Sequence, residues 1–414
     1  MATGKRRLEE LKKQWQEEIK EELCFLPELD DEVVKEKIEA FVLKKGREVF
    51  LKLEEKRQLG KEIFNSIRRL DVLQELLENE EITEIMVNGA QHIFIERQGK
   101  IELWDKQFDS EEKLLDVVQQ IAAAVNRRVN EANPIMDARL LDGSRVNVVL
   151  APVALQGTAI TIRKFSKEPF TMERLQKLEA LGKESAEFLK SLVEAGYNIF
   201  VSGGTGSGKT TFLNALADWI PEKERVITIE DSAELSLRIP NLVALEARPA
   251  NVEGKNEICI RDLIKSALRM RPSRIIVGEV RDAAAVDMLQ AMNTGHDGSL
   301  STGHANSPED MLCRLETLVL MGMDIPLAAV RQQIASAIDL VVHLGRLRDG
   351  SRRVLEITEV VGVVGERYQM NPIFVFTEEG VDDKGKIKGS LKRTENAFVQ
   401  REKLMRAGKW ADGL

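Results

Sequence analysis

The sequence predicts an α/β fold in three parts. A helical N-terminal extension covers residues 1–70, a smaller α+β domain 71–165, and a larger α/β domain 183–414, reached through a linker at 166–182. Three observations carry this. The apolar run NIFVS at 198–202 enters the glycine-rich stretch GGTGSGKTT at 203–211, and helix-compatible residues (TFLNALADWI) follow up to Pro221, so strand, tight loop and helix come in direct succession. Five strand-like segments alternate with helix-like ones between 183 and about 375, the pattern of a parallel sheet covered on both faces. Before residue 166 the pattern is different: alternating segments lie on both sides of a single helix.

Composition sets the outer bounds. A chain of 414 residues has room for two or three domains. Hydrophobic content of 43% and charged content of 31% describe a soluble globular protein. No stretch has eighteen uncharged apolar residues, so no transmembrane helix is expected, and MATGKRRLEELKKQ has no apolar core to act as a secretory signal. The net charge of −8 and the 5% aromatic content argue against a general nucleic-acid coat. Cys24, Cys259 and Cys313 are odd in number and far apart, which fits a reducing compartment and contains no paired zinc spacing.

The first 70 residues hold 17 Lys/Arg and 16 Asp/Glu. Apolar residues recur at helical spacing, as in Leu8, Leu11 and Trp15, then Val34, Ile38, Phe41 and Val42, with Pro27 and Gly46 as punctuation. A solvated helical appendage is the plainer reading, and a docking module the sharper one. Residues 82–87 (ITEIMV), Asn88-Gly89 and 92–96 (HIFIE) read as a hairpin. Another alternating segment runs over 100–108, a helix over 110–125, and strand-like stretches over 134–150 and 159–165. The linker has one short helix, starting near Pro169. In the larger domain the strands are placed at 198–202, 226–230, 274–279, 299–302 and 340–344. Residues 376–414 read as a polar tail, with a last helix at 396–407.

The stretch at 203–211 fits G-x-x-x-x-G-K-[ST]. A four-position match of this kind arises by chance about once in a hundred chains of this length, and the strand before it and helix after it make accident less tenable still. Gly203, Gly204, Thr205, Gly206, Ser207 and Gly208 would turn backbone N–H groups onto a phosphate chain, with Thr211 just inside the following helix. Lys209 would reach the β- and γ-phosphates of ATP, and the Thr210 hydroxyl would bind Mg²⁺.

Two further strands deliver carboxylates. VITIEDSAEL ends a strand at Glu230, and RIIVGEVRD delivers Glu279. Hydrolysis of a triphosphate needs one carboxylate to activate water and others to help hold the metal, and Glu230 and Glu279 could share those roles, both standing with Thr210 as candidates for the Mg²⁺ site. Gly278 stands where an Asp usually closes such a strand, which shifts more of the Mg²⁺ coordination onto Thr210 and water. Two of only four histidines, His296 and His304, lie in GHDGSLSTGHANS. No cysteine pair or third histidine completes a zinc site there, and contact with the γ-phosphate is the favoured reading. His343, within LVVHL, reads as core, and His92 is uninformative. Arg139, Arg145, Arg163 and Lys164 are grouped in the smaller domain, and arginine offers a planar, permanently charged fork for phosphate. Arg281 is a weaker candidate for bridging subunits.

These motifs, in this order, resemble the secretion ATPase superfamily of type II and type IV secretion and type IV pili. GGTGSGKTT matches the Walker A motif, ITIEDSAEL the acidic box, RIIVGEVRD an atypical Walker B, and TGHDGSLSTGHANS the His box. DARLLDGSRVN followed by TIRKF is similar to the CpaF branch, which drives tight-adherence (Flp-type) pili. The long helical extension, the polar tail and the absence of a four-cysteine zinc module also match that branch.

The resemblance implies a RecA-like P-loop NTPase core and a PAS-like α+β domain, assembled as a homo-hexamer. ATP would be bound between the two, with Arg139, Arg145 and Arg163 contributing. Glu279 would be the catalytic glutamate, Glu230 would support Mg²⁺ or water, and His296 and His304 would be the His-box histidines. The implied partner is an inner-membrane platform protein at the cytoplasmic face, with no nucleic acid expected. A conjugative type IV secretion ATPase and a RecA-like nucleic-acid translocase are the alternatives, the latter requiring a basic, aromatic-bearing channel. A nucleotide switch that binds without hydrolysis is a third, and Glu279 beside a complete P-loop argues against it.

Overall fold

The computed structural model describes residues 2–24, 30–97, 99–165, 170–250, 255–383 and 385–410. The chain divides into two compact units, Met1–Ser166 and Lys167–Leu414, each with cores of its own.

The first unit opens with α1 (Ala2–Cys24), α2 (Asp31–Glu48) and α3 (Leu53–Arg68). Trp15 and Ile19 of α1, Val34, Ile38 and Val42 of α2, and Leu59 and Ile63 of α3 face one another at four-residue spacing. Asp30 caps α2 by accepting from the Asp31 N–H. Gly46 does not end that helix. It lies buried inside α2, where an added Cβ would come within 2.6 Å of Lys56 Cε, so it lets α3 approach. Pro27 falls outside the described residues.

After α4 (Val72–Glu78) comes an antiparallel sheet of β1 (Ile82–Asn88), β2 (Ile93–Arg97), β3 (Lys100–Leu103), β4 (Ile135–Arg139), β5 (Arg145–Val149) and β6 (Ala159–Arg163), in the order β3-β2-β1-β6-β5-β4. The helix α5 (Glu111–Ala124), capped by Ser110, lays Leu114, Val117, Val118 and Ile121 on its inner face. The alternation expected over 100–108 holds only from Trp104 to Phe108, where Trp104, Lys106 and Phe108 turn inward between exposed Asp105 and Gln107. β3 is a four-residue edge strand exposed along its whole length, and beyond it only Phe108 turns inward strongly.

The second unit begins with α6 (Met172–Lys177) and α7 (Lys183–Ala195). Residues 166–169, including the linker's proline, fall outside the described residues. There follow β7 (Ile199–Gly203), α8 (Lys209–Ala217), β8 (Val226–Glu230), β9 (Leu242–Glu246), α9 (Ile260–Ala267), β10 (Arg274–Val277) and α10 (Ala284–Asn293). The chain continues through β11 (Leu300–Gly303), α11 (Pro308–Gly322), α12 (Leu327–Ala337), β12 (Leu340–Arg346), β13 (Arg352–Val364), β14 (Arg367–Val381), β15 (Ile387–Arg393) and α13 (Glu402–Arg406). All nine strands form one sheet, ordered β15-β14-β13-β12-β7-β11-β10-β8-β9. From β12 to β9 every pairing is parallel. Helices α7 and α8 bury one face, and α9 to α12 the other. This is the RecA-like α/β core.

The sheet is mixed rather than wholly parallel, because β13, β14 and β15 extend it as an antiparallel meander. The described part of the polar tail, from 376 to 410, is therefore in part built into the sheet. The end of β14 and all of β15 fall in that range, and Phe398 packs edge-on against Phe188 at 5.5 Å between ring centres. The last helix is short because Glu359, fully buried, accepts from the backbone N–H groups of Val399 and Gln400, which holds these residues out of a helical ladder.

Candidate active site

Since β7, β8, β10, β11 and β12 run in parallel, their C-terminal ends share one edge of the sheet, the edge where α/β proteins place ligands. β7 ends there at Gly203, and the loop to α8 turns tightly. Gly206 and Gly208 adopt φ of 72° and 92°, a left-handed conformation that side chains resist. A Cβ at Gly203 would collide with the Leu344 carbonyl of β12 and lie 2.7 Å from Ser207 Oγ. The Lys209 ammonium, buried at the start of α8, donates to the Gly203 and Gly204 carbonyls at 3.0 and 2.9 Å. Thr210 follows on the first turn, half-buried.

The two acids occupy different environments. Glu230 ends β8 and is only 4% exposed. Its Oε1 accepts from the Glu234 and Leu235 N–H groups at 2.9 and 3.1 Å. Burial outweighs these bonds and pushes its carboxyl up to about 7. Its side chain fills the space beside Gly278, where an added Cβ would lie 2.8 Å from Glu230 Cγ. The glycine in the usual Asp position thus makes room for a carboxylate from the neighbouring strand.

Glu279, two residues beyond β10, is half-buried. Burial raises its carboxyl, but the Arg281 guanidinium at 2.6 Å and the His304 Nδ1 hydrogen bond overcome it and hold the group below its ordinary value. Arg281 pairs with Glu279 and lies 4.0 Å from Asp231, both in its own chain.

His304 stands just past β11 on this edge. His296 does not. It precedes β11, so the parallel strand carries the two histidines to opposite edges of the sheet, and His296 Nδ1 instead meets the Ala291 carbonyl at 3.2 Å. His343 is buried, as expected of core, but it is also tied to the site. Its Nδ1 lies 2.9 Å from the hydroxyl of Ser202, the residue before Gly203, and burial lowers its proton affinity. The continuous apolar run around His343 hides this neighbour, because only strand pairing places β12 beside β7. Arg352, which no sequence motif marks, donates to the loop at Gly206.

For a divalent ion, the Thr210 hydroxyl and the Glu230 carboxylate are hard oxygen donors of the kind Mg²⁺ takes alongside phosphate and water. Among the described residues no group of three or more His, Cys, Asp or Glu side chains converges as a soft or all-protein site would require.

In the first unit, strand register lines up the arginines. Arg139 on β4 faces Arg145 on β5, and Arg145 faces Arg163 on β6, which in turn faces Glu84 on β1. The DGS segment builds the β4–β5 turn: Asp142 accepts from the Ser144 N–H and hydroxyl at 2.9 Å each, and Gly143 takes φ of 90°. Arg139 also lies over the Phe165 ring. Like charges directly opposite one another across strands are unfavourable, and Glu84 lies 3.9 Å from Arg163 at one end of the row.

The chain matches the family model "Type II/IV secretion system protein" over residues 68–402. It is 37% identical over 292 residues to a putative conjugal transfer protein of Mycobacterium tuberculosis, covering 69% of this chain and 83% of that protein. It is 34% identical over 322 residues to the type IV secretion system protein PtlH of Bordetella pertussis, covering 70% and 93%. The crystal structure of the pilus retraction motor PilT with bound ADP shares the fold, with a TM-score of 0.50 at 20% identity over 82% of this chain and 86% of that one. With this fold, these motifs and these matches, the chain belongs to the type II/IV secretion system protein family and is one of its secretion ATPases.

Proposed function

We propose that this chain is a hexameric ATP-hydrolysing motor that works at the cytoplasmic face of a membrane and moves a platform protein of a pilus or secretion machine. The observation that carries the chemistry is the convergence of Lys209, Glu230, Glu279 and His304 on one sheet edge. Lys209 and the loop N–H groups bind the phosphates, and Thr210 with Glu230 holds Mg²⁺, which would neutralise charge developing on the transferred phosphoryl group. Glu279 is kept ionised by Arg281 and His304, as a base that must receive a proton from the attacking water requires. His304, hydrogen-bonded to that base, orients it and meets the γ-phosphate. The arginine row of Arg139, Arg145 and Arg163 supplies positive charge to the nucleotide.

The titration of Glu230 supports a second assignment within the same site. A carboxyl poised near 7 is matched to accepting a proton at neutral pH, and phosphate release by Glu230→Gln and Glu279→Gln proteins separates the two roles. The one that binds ATP but no longer turns it over has lost the base.

The CpaF-like assignment to tight-adherence pili rests on DARLLDGSRVN, TIRKF and the extension formed by α1 to α3. A conjugative system is favoured instead by the names of the mycobacterial and other conjugal transfer relatives. ATP turnover per subunit, measured over a wide range of protein concentration with and without single-stranded DNA, tests the motor. Cooperative growth with concentration and indifference to DNA are expected. A requirement for DNA replaces the motor with a nucleic-acid translocase.

A further inference from the structure

The sequence draws attention to arginines of the first unit, whereas the second unit places one directly on its own phosphate loop. β12 lays its Leu344 carbonyl against Gly203, and the turn joining β12 to β13 begins just beyond it. A bulge aims the start of β13. His343 pairs with Glu356 but Leu344 with Val354, leaving Leu355 as an extra residue on β13. Bulges of this kind redirect side chains and gather beside active sites.

Arg352, the first residue of β13, is thereby laid across the loop. Its Nε–H donates to the Gly206 carbonyl at 2.8 Å, and its Cδ passes 3.5 Å from where a Cβ of Gly208 would stand. Gly206 and Gly208 flank Ser207, so the guanidinium rides over the half of the loop that leads into Lys209.

Its neighbours show that this placement is particular. Arg353, pointing the other way, is buried and paired with Glu179 at 2.9 Å. That pair is ordinary structural charge matching. Arg352 is exposed, and among the described residues no carboxylate pairs with it. The residue across the ladder is another cation, Arg346. Two arginines face each other at the rim of a phosphate loop, and like charges so placed repel unless an anion joins them.

We propose that Arg352 is a nucleotide-binding residue contributed by the same chain as the P-loop. Its Nε–H holds the Gly206 peptide, and its two remaining amino groups take oxygens of the polyphosphate chain. The assignment rests on the ATP-binding reading above. It differs from the role given to Arg139, Arg145 and Arg163, because Arg352 and the loop it touches lie within one unit and need no neighbouring subunit.

The test is a titration of full-length wild-type, Arg352→Ala, Arg352→Lys and Arg352→Gln proteins with ATP and, separately, with inorganic tripolyphosphate. Lys209→Ala serves as the reference, and thermal melts without nucleotide report folding. Arg352→Ala should bind both ligands about ten-fold more weakly. Arg352→Lys should recover little of this, since a lysine lacks the Nε–H and the fork. Melting temperatures should match wild type. ATP affinity unchanged in Arg352→Ala and Arg352→Gln, with Lys209→Ala impaired, overturns the role of Arg352 and leaves the P-loop reading standing. Loss of ATP affinity with tripolyphosphate affinity intact also overturns it, because the contact is then with the nucleoside. Failure of wild-type protein to bind either ligand overturns the ATP-binding reading itself.

Discussion

Glu230 shows how a single buried residue couples chemistry to folding. It ionises near 4.5 when free and near 7 in the fold. Between those values the folded chain holds a proton that the unfolded chain has released, so this residue's effect is to lower stability as pH rises from about 4.5 to 7, with no further change above. A Glu230→Gln protein should therefore melt higher than wild type at pH 8, and the difference should shrink towards pH 5. Melting curves across that range check it, and a difference constant with pH refutes it. Lys209 lies on the same edge with a simpler role. Lys209→Ala removes the ammonium held at the Gly203 and Gly204 carbonyls and should weaken ATP binding at least a hundred-fold in titration with a labelled analogue. At this scale the Walker-type loop, Glu230 and Glu279 were legible from spacing alone, because glycine, lysine and acid at strand ends are local signals. His343 and Arg352 were not, because their partners, Ser202 and Gly206, lie more than a hundred residues away in the chain.

At the scale of elements, the pairing of β8 with β10 decides what Gly278 is for. In sequence it is a missing aspartate. In the sheet it is the space that Glu230 fills. Gly278→Ala should displace the Glu230 carboxylate and lower turnover ten-fold or more while ATP binding through the loop stays near wild type. Steady-state kinetics set against a binding titration separates these effects. The C-terminal segment makes a second case. Lys403 reaches Asp339 at 2.7 Å, Leu404 is buried, and Glu359 is satisfied by Val399 and Gln400. Removing residues 395–414 leaves buried Asp339 with the Asn198 N–H and buried Glu359 with the Asn371 amide but takes away their other partners, and should cost about 3 kcal/mol or more, seen as a fall in melting temperature. The sequence shows polar residues there because the segment's anchoring is by backbone N–H groups and a few widely spaced apolar residues, which leave no periodic signature.

For the whole molecule, the arginine row and the P-loop belong to different units, and the motor reading makes their cooperation a matter of assembly. Mixing Arg139→Ala with Lys209→Ala subunits should restore part of the ATPase activity if the row acts on a neighbour's nucleotide, whereas activity that merely dilutes argues against that. Among the described residues no helix is long and apolar enough to cross a membrane. The α/β core, the chemistry at the ends of its parallel strands and the phosphate loop are all readable along the linear chain. Hydrophobic runs, glycine turns and strand-end acids are written in neighbouring residues, and their physics is local. Folding in three dimensions settles the rest: the sheet continues as an antiparallel meander, His304 reaches the site edge while His296 is carried to the other, and three arginines stand in one row. These depend on strand order and register, which arise from packing distant segments together and have no counterpart in any short stretch of the chain.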